Sequence, residues 1–174
     1  MEKKGLGLVH IYYGNGKGKT STALGLATRA YGRGYKVKII QLFKGDTGEI
    51  RTFKKLKVPY LQFKPSHPFF TKYLGKKLEK FKEELMKFLF KNLKDIDKYD
   101  VVIIDEMGPA LSWRLIEEDF LINLIKNKPE DLELILTGRG FPKKVLRYAH
   151  YVTEMKQRRH PFQFGIEARE GIEF

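Results

Sequence analysis

The sequence predicts an α/β fold, a mostly parallel sheet of about five to six strands with helices on both faces. Three observations lead there. Short apolar strands alternate with helical segments along the chain. A glycine-lysine loop stands where the first strand passes into a helix. Val101–Asp105 is a continuous β-branched run ending in a carboxylate, as a strand buried on both faces requires.

The elements follow in order. Gly7–Tyr13 reads as a strand, Gly14–Lys19 as a loop, and Thr20–Tyr31 as a helix closed by Gly32 or Gly34. Lys36–Phe43 alternates as a second strand. Lys44–Thr52 is expected to be a polar loop, Tyr60–Phe63 a short strand, and Lys64–Thr71 a loop bearing two prolines. From Lys72 to Lys98, Leu74, Leu78, Phe81, Leu85, Phe88 and Leu89 recur at helical spacing between lysines, which predicts one amphipathic helix. Phe120–Asn127 reads as a helix, Glu133–Thr137 as a strand, Lys143–Tyr148 as a short helix and Tyr151–Thr153 as a last strand. The tail from Lys156 is expected to be loop-like and basic.

Composition narrows the function. The chain has 174 residues, a length that predicts a single domain over 1–174. It has no cysteine, which excludes disulfides, thiolate metal sites and a cysteine nucleophile. His10, His67, His150 and His160 are scattered and leave little room for a histidine metal site. No apolar run is long enough to span a membrane. The basic, briefly apolar start runs directly into the glycine-lysine loop with no cleavage signal, so it reads as a strand and the expected compartment is the cytoplasm. A net charge of +13 favours anionic partners. The lysine-rich helix fits either a solvated face or a docking face for an acidic protein.

The strongest motif is Gly14-Asn15-Gly16-Lys17-Gly18-Lys19-Thr20, followed by Ser21. Glycines let backbone N–H groups turn inward around phosphate oxygens, and the helix N-terminus adds partial positive charge. Lys19 supplies a point charge for the outer phosphates, and the Thr20 hydroxyl is a candidate Mg²⁺ ligand. Compared with the usual pattern the loop is short: Tyr13 stands where the first glycine is expected. Asp105, ending its strand, is placed beside the metal held by Thr20. Glu106 is a candidate to polarise a water or to join the metal shell. Loop and strand together predict Mg·ATP binding.

The remaining segments narrow this further. Tyr13–Thr20 with its shortened loop, Ala27–Gly34, Gln41–Gly45, Gly48-Glu49 and Val101–Met107 occur in one order. Lys128-Pro129, Leu134–Gly140, Val152–Met155, Arg159–Phe162 and Gly165–Glu173 continue it. In these segments the sequence resembles the ATP:corrinoid adenosyltransferases of the P-loop class, diverging only over about residues 50–98. The resemblance implies a RecA-like fold and transfer of the 5′-deoxyadenosyl group of ATP to Co(I) of a corrinoid, with release of triphosphate. It implies a nucleotide reversed relative to other P-loop proteins, a homodimer, and Mg²⁺ held by Thr20 and Glu106, with Asp105 direct or through water. Lys19 and Glu106 are the candidate catalytic residues. Gly14, Asn15, Gly16, Lys17, Gly18, Lys19, Thr20, Ser21 and Arg139 are the candidate ATP contacts. Arg139, on a glycine-flanked turn, reaches either phosphate or the corrinoid rim, or is a surface arginine.

Lys64–Phe70 occupies the place of the family's aromatic loop beneath the corrinoid. Phe69 and Phe70 are the candidates there, with His67 within possible approach of cobalt; packing under the lysine-rich helix is the alternative for both phenylalanines. The resemblance leaves open the roles of Glu154 and Arg159 and the identity of the corrinoid. It also leaves open how the site closes: some relatives carry a helix before the first strand, and the sequence in hand begins almost at that strand. An acidic flavoprotein is a candidate electron donor for the basic face. Two other functions compete. One is a P-loop ATPase or kinase in which Glu106 activates water or a hydroxyl. The other is a nucleic-acid-binding module, for which the charge speaks but no recognised motif does.

Overall fold

The computed structural model describes residues 5–173; Met1–Lys4 of the expected N-terminal segment and Phe174 lie outside them. Six strands form one parallel sheet in the order β3-β2-β4-β5-β1-β6. They are β1 (Val9–Tyr13), β2 (Val37–Leu42), β3 (Tyr60–Phe63), β4 (Val101–Asp105), β5 (Glu133–Gly138) and β6 (Tyr151–Glu154). The helices are α1 (Lys19–Gly32), α2 (Gly48–Lys55), α3 (Pro68–Thr71), α4 (Lys76–Leu93), α5 (Met107–Ser112), α6 (Glu118–Asn127) and α7 (Lys143–Leu146).

Strand alternation divides the core into two layers. Ile39, Val101, Ile103 and Ile135 face Ala23, Leu24 and Ala27 of α1 and Phe53 of α2. Ile40, Val102, Ile104, Leu134 and Leu136 face the other way, onto residues such as Leu85 of α4, Met107 of α5, Leu121 of α6 and Val145 of α7. Burial on both faces accounts for the unbroken apolar runs in β4 and β5. Because every strand is parallel, all six C-terminal ends lie along one edge, the edge at which open α/β sheets bind ligands.

Three expectations are corrected. Gly48–Lys55, expected to lie partly in a loop, forms α2, because Ile50 and Phe53 at helical spacing are buried, Phe53 against the α1 layer. The lysine-rich helix is shorter than Lys72–Lys98. Gly75, at φ 53°, turns the chain into its start, and its end gives way to a 3-10 turn at Ile96–Lys98. The expected loop Lys64–Thr71 ends in the single turn α3, which begins at Pro68 and is capped by the His67 ring accepting from the Phe69 N–H at 3.2 Å. At the end of α1 the left-handed glycine is Gly34, at φ 80°, whose N–H returns to the Tyr31 carbonyl.

Candidate functional site

The phosphate loop is fastened from the side by the end of β6. The Gly16 N–H donates to the Met155 carbonyl at 2.7 Å, the Met155 N–H donates to Tyr13 O at 2.7 Å, and the Gln157 N–H donates to Asn15 Oδ1 at 3.0 Å. A Cβ at Gly16 would lie 2.7 Å from the Met155 carbonyl oxygen, and one at Gly14 would collide with the same atom. The two glycines are therefore demanded by close backbone approach as well as by phosphate access. Lys19 curls inward, its Nζ donating to the Gly16 carbonyl at 2.7 Å. Burial pulls its pKa below the ordinary lysine value.

Strand order gathers the remaining polar groups. β5 lies between the phosphate-loop strand β1 and the aspartate strand β4. From its end the Thr137 hydroxyl donates to Asp105 Oδ1 at 2.5 Å and accepts the Glu106 N–H at 3.1 Å. Thr20 donates to the same Oδ1 at 2.9 Å. On the other side of β4, Gln41 of β2 donates to Asp105 Oδ2 at 2.9 Å and is itself held by Gln62 of β3 at 2.8 Å. Lys44 completes the set, with Nζ 2.9 Å from Asp105 Oδ2, 2.6 Å from Thr20 Oγ1 and 3.4 Å from Glu106 Oε1. Asp105 is fully buried, a cost that Lys44 and the bonds from Thr137 and Gln41 more than offset, so its carboxyl stays below the usual range. Glu106 is different. Burial raises its pKa and neighbouring Asp105 adds to that, against the opposing pull of Lys44.

Glu106 sits in a left-handed turn at φ 63°, an uncommon conformation for a side chain of its size. The turn is pinned where Gly108 meets Gly138: a Cβ on either would strike the backbone of the other.

These groups line a cleft of about 740 Å³ over the strand ends, bounded by Asn15–Ser21, the N-terminus of α2, Glu106 and Arg139. The C-terminal tail forms its outer wall. Glu173 lies 2.6 Å from Lys17 and is held by Arg169, which together push its carboxyl down to about 2. A second cleft of about 570 Å³ lies alongside and is mostly apolar, lined by Phe43, His67, Phe69, Phe70, Pro109 and Trp113. The two clefts share Lys44, Glu106 and Arg139.

Phe69 and Phe70 are therefore not packed under α4. They are 59% and 76% exposed, in edge-to-face contact with each other, and Phe69 also meets Trp113. The rings that pack beneath α4 are instead Phe43 and Phe63, which meet Phe81 and Phe88 of the helix. His67 is buried between Phe43 and Trp113, and burial holds its pKa below the ordinary histidine value.

Asn15–Ser21, Glu106 and Arg139 line one cleft, with Asp105 bonded to Thr20 beneath it; Gly14 lies against the Met155 backbone and does not line the cleft, and Phe69 and Phe70 meet in its neighbour. Sequence reasoning assigned no role to Gln41, Lys44, Thr137, Trp113 or Met155. All but Trp113 lie inside the motif blocks, but only strand order reveals what they touch.

The comparisons decide the family. The model of the ATP:corrinoid adenosyltransferase family BtuR/CobO/CobP matches residues 5–174. The chain belongs to that family. It is thus an enzyme of the ATP:corrinoid adenosyltransferase class, as the resemblance implied. It is 34% identical to the corrinoid adenosyltransferase of Pseudomonas aeruginosa over 99% of this chain and 85% of that protein. The corrinoid adenosyltransferase of Escherichia coli K12 is 28% identical over 97% of this chain and 86% of its own length. A KaiC-like protein of Pyrococcus horikoshii shares the fold, with a TM-score of 0.57 at 18% identity, over 89% of this chain and 75% of that one. This agrees with the expected RecA-like architecture. Among the described residues, no helix is long and apolar enough to cross a membrane.

Proposed function

We propose that this single domain transfers the 5′-deoxyadenosyl group of ATP to the Co(I) centre of a corrinoid by in-line attack at ribose C5′, releasing triphosphate. The observation that carries the reading is the shared wall. A polar, cation-lined cleft and an aromatic cleft meet at Lys44, Glu106 and Arg139. Triphosphate placed along Gly14–Ser21 leaves C5′ at that junction and the corrinoid against Phe69, Phe70 and Trp113. Cobalt supplies the electron pair for the new Co–C bond. The C5′–O bond breaks, and its electron pair leaves on the triphosphate. No protein nucleophile is required.

The chain's own residues bind and orient. Inward N–H groups of the loop, Lys19 and Lys17 stabilise the charge that builds on the leaving triphosphate. For Lys17 this means exchanging Glu173 for phosphate. Arg139 reaches the phosphates or the corrinoid rim from the common wall. Apolar walls exclude water from the reduced cobalt, and fixed placement of both substrates supplies much of the remaining acceleration.

Thr20 and Glu106 would hold Mg²⁺, with Asp105, which accepts from Thr20, Thr137, Gln41 and Lys44, beside them. The donor set fits such an ion: it consists of hard oxygens gathered around a cation. Among the described residues no three His, Asp or Glu side chains converge on a metal position, so the ion would depend on the nucleotide's phosphates for further oxygens. Bound there, Mg²⁺ supplies charge neutralisation on the triphosphate.

The enzyme works in the cytoplasm as a homodimer. The lysines of α4 offer an acidic flavoprotein reductant a docking face. The test is anaerobic incubation with Mg·ATP and chemically reduced cob(I)alamin. A Co–C spectrum together with stoichiometric triphosphate is expected; ADP and phosphate formed without corrinoid would overturn the reading in favour of an ATPase.

A further inference from the structure

One cation on the floor of the nucleotide cleft lies outside the phosphate loop. Lys44 follows Phe43, whose left-handed backbone at φ 58° ends β2 and whose N–H is fixed to the Phe63 carbonyl at 3.0 Å. That turn carries the Lys44 side chain across the end of β4. There its ammonium meets Thr20 Oγ1, Asp105 Oδ2 and Glu106 Oε1 at 2.6, 2.9 and 3.4 Å. An ammonium has three donors and no acceptor, and here it faces three oxygens. They are the same three residues that are assigned to the metal.

We infer that Lys44 is the resident cation of the metal position: it fills the position in the nucleotide-free protein and moves to the triphosphate when Mg·ATP enters, so that the divalent ion is admitted only with its nucleotide. This rests on the proposed metal role of Thr20, Asp105 and Glu106.

Three features support it. The Thr20 hydroxyl donates to Asp105 while accepting from Lys44, so its proton is committed to the carboxylate and one of its two lone pairs to the ammonium, in competition with a metal. Without a cation, a buried Asp105 beside Glu106 would carry uncompensated charge. With a divalent ion in place, an ammonium at the same point is repelled. The Lys44 side chain is 27% exposed on a flexible four-carbon stem and lines both clefts, so the phosphates lie within its sweep. Lys44 is accordingly a positioning residue for the metal and a ligand of the leaving group.

The experiment titrates nucleotide-free protein with Mn²⁺ and follows the free-ion electron paramagnetic resonance signal. Wild type is expected to show only weak binding. Lys44→Met, of similar length without the charge, should bind Mn²⁺ at least tenfold more tightly, and Mn²⁺ should raise its Tm but not that of wild type. Its Mg·ATP affinity, read by calorimetry, should fall about tenfold. Lys44→Arg, which keeps a cation for the buried carboxylates, should still exclude Mn²⁺; this provides a folded comparison should Lys44→Met be unstable. Equal Mn²⁺ affinity in wild type and Lys44→Met, or tighter Mn²⁺ binding in Lys44→Arg, overturns the inference. Glu106→Gln separates the two levels. If it leaves the Mg²⁺ dependence of ATP affinity intact, the metal assignment fails, and the inference with it. If it abolishes that dependence while Lys44→Met binds Mn²⁺ no better, only the inference about Lys44 fails.

Discussion

The two clefts that meet at Lys44, Glu106 and Arg139 are built in opposite ways. The nucleotide cleft is fixed by directional bonds. Met155 and Gln157 hold its loop, and Thr137, Gln41 and Thr20 hold Asp105. Its neighbour is held by ring contacts among exposed aromatics, Phe69, Phe70 and Trp113. The first suits a substrate whose charges must sit at set points, since preorganised donors stabilise developing charge without rearranging. The second suits a broad, apolar face that slides until its reactive atom is aligned. The polar side thus supplies precision, and the aromatic side adapts to it.

The largest expected effect is on the polar side. Lys19→Ala should lower ATP affinity or turnover at least a hundredfold with an unchanged circular dichroism spectrum, because a charged donor to phosphate is lost from a partly buried position. Full activity in that variant would break the contrast at its stronger end. Next comes Asp105→Asn. It removes the charge that compensates Lys44 and should lower Tm by several degrees as well as activity, since a buried pair broken on one side leaves an unpaired charge. An unchanged Tm would mean that the buried network is not structural.

On the aromatic side the effects are expected to be smaller and to fall on the other substrate. Phe70→Ala should weaken corrinoid capture by about tenfold, as loss of a contacting ring does, and leave ATP affinity within about twofold. A larger loss of ATP affinity would show that the two clefts are not separable.

His67 gives a pH test. Its folded pKa lies below its ordinary value, so the unfolded chain takes up the proton first. Stability should be complete above about pH 6.5 and decline as pH falls through that value. His67→Gln should flatten the decline in Tm; an unaltered slope would place the titrating group elsewhere. The smallest effect is expected from Glu173→Gln. Its ion pairs are at the surface, so ATP affinity should change by no more than about threefold.

Much of this was legible in the sequence, and unevenly so. Val101–Asp105 and Tyr60–Phe63 have the bounds expected of them, because apolar runs between breakers define strands locally. The phosphate loop was legible because its chemistry is contiguous. Gln41 and Thr137 were not, although both lie in motif blocks. Their role exists only once β2 and β5 are known to flank β4, and strand order is a property of the whole sheet. Lys44 was hidden for a related reason: the left-handed turn at Phe43 aims it, and phenylalanine gives no signal for such a turn. The α2 segment was hidden by its polarity, since only Ile50 and Phe53 are buried.

The central claim is that C5′ of ATP lies where the two clefts join, and a crystal structure of the Mg·ATP complex tests it most directly. The account predicts triphosphate along Gly14–Ser21 and ribose C5′ facing the aromatic cleft between Glu106 and Arg139. A γ-phosphate at that junction, with the adenosine directed away from it, would contradict the account and point to ordinary phosphoryl transfer.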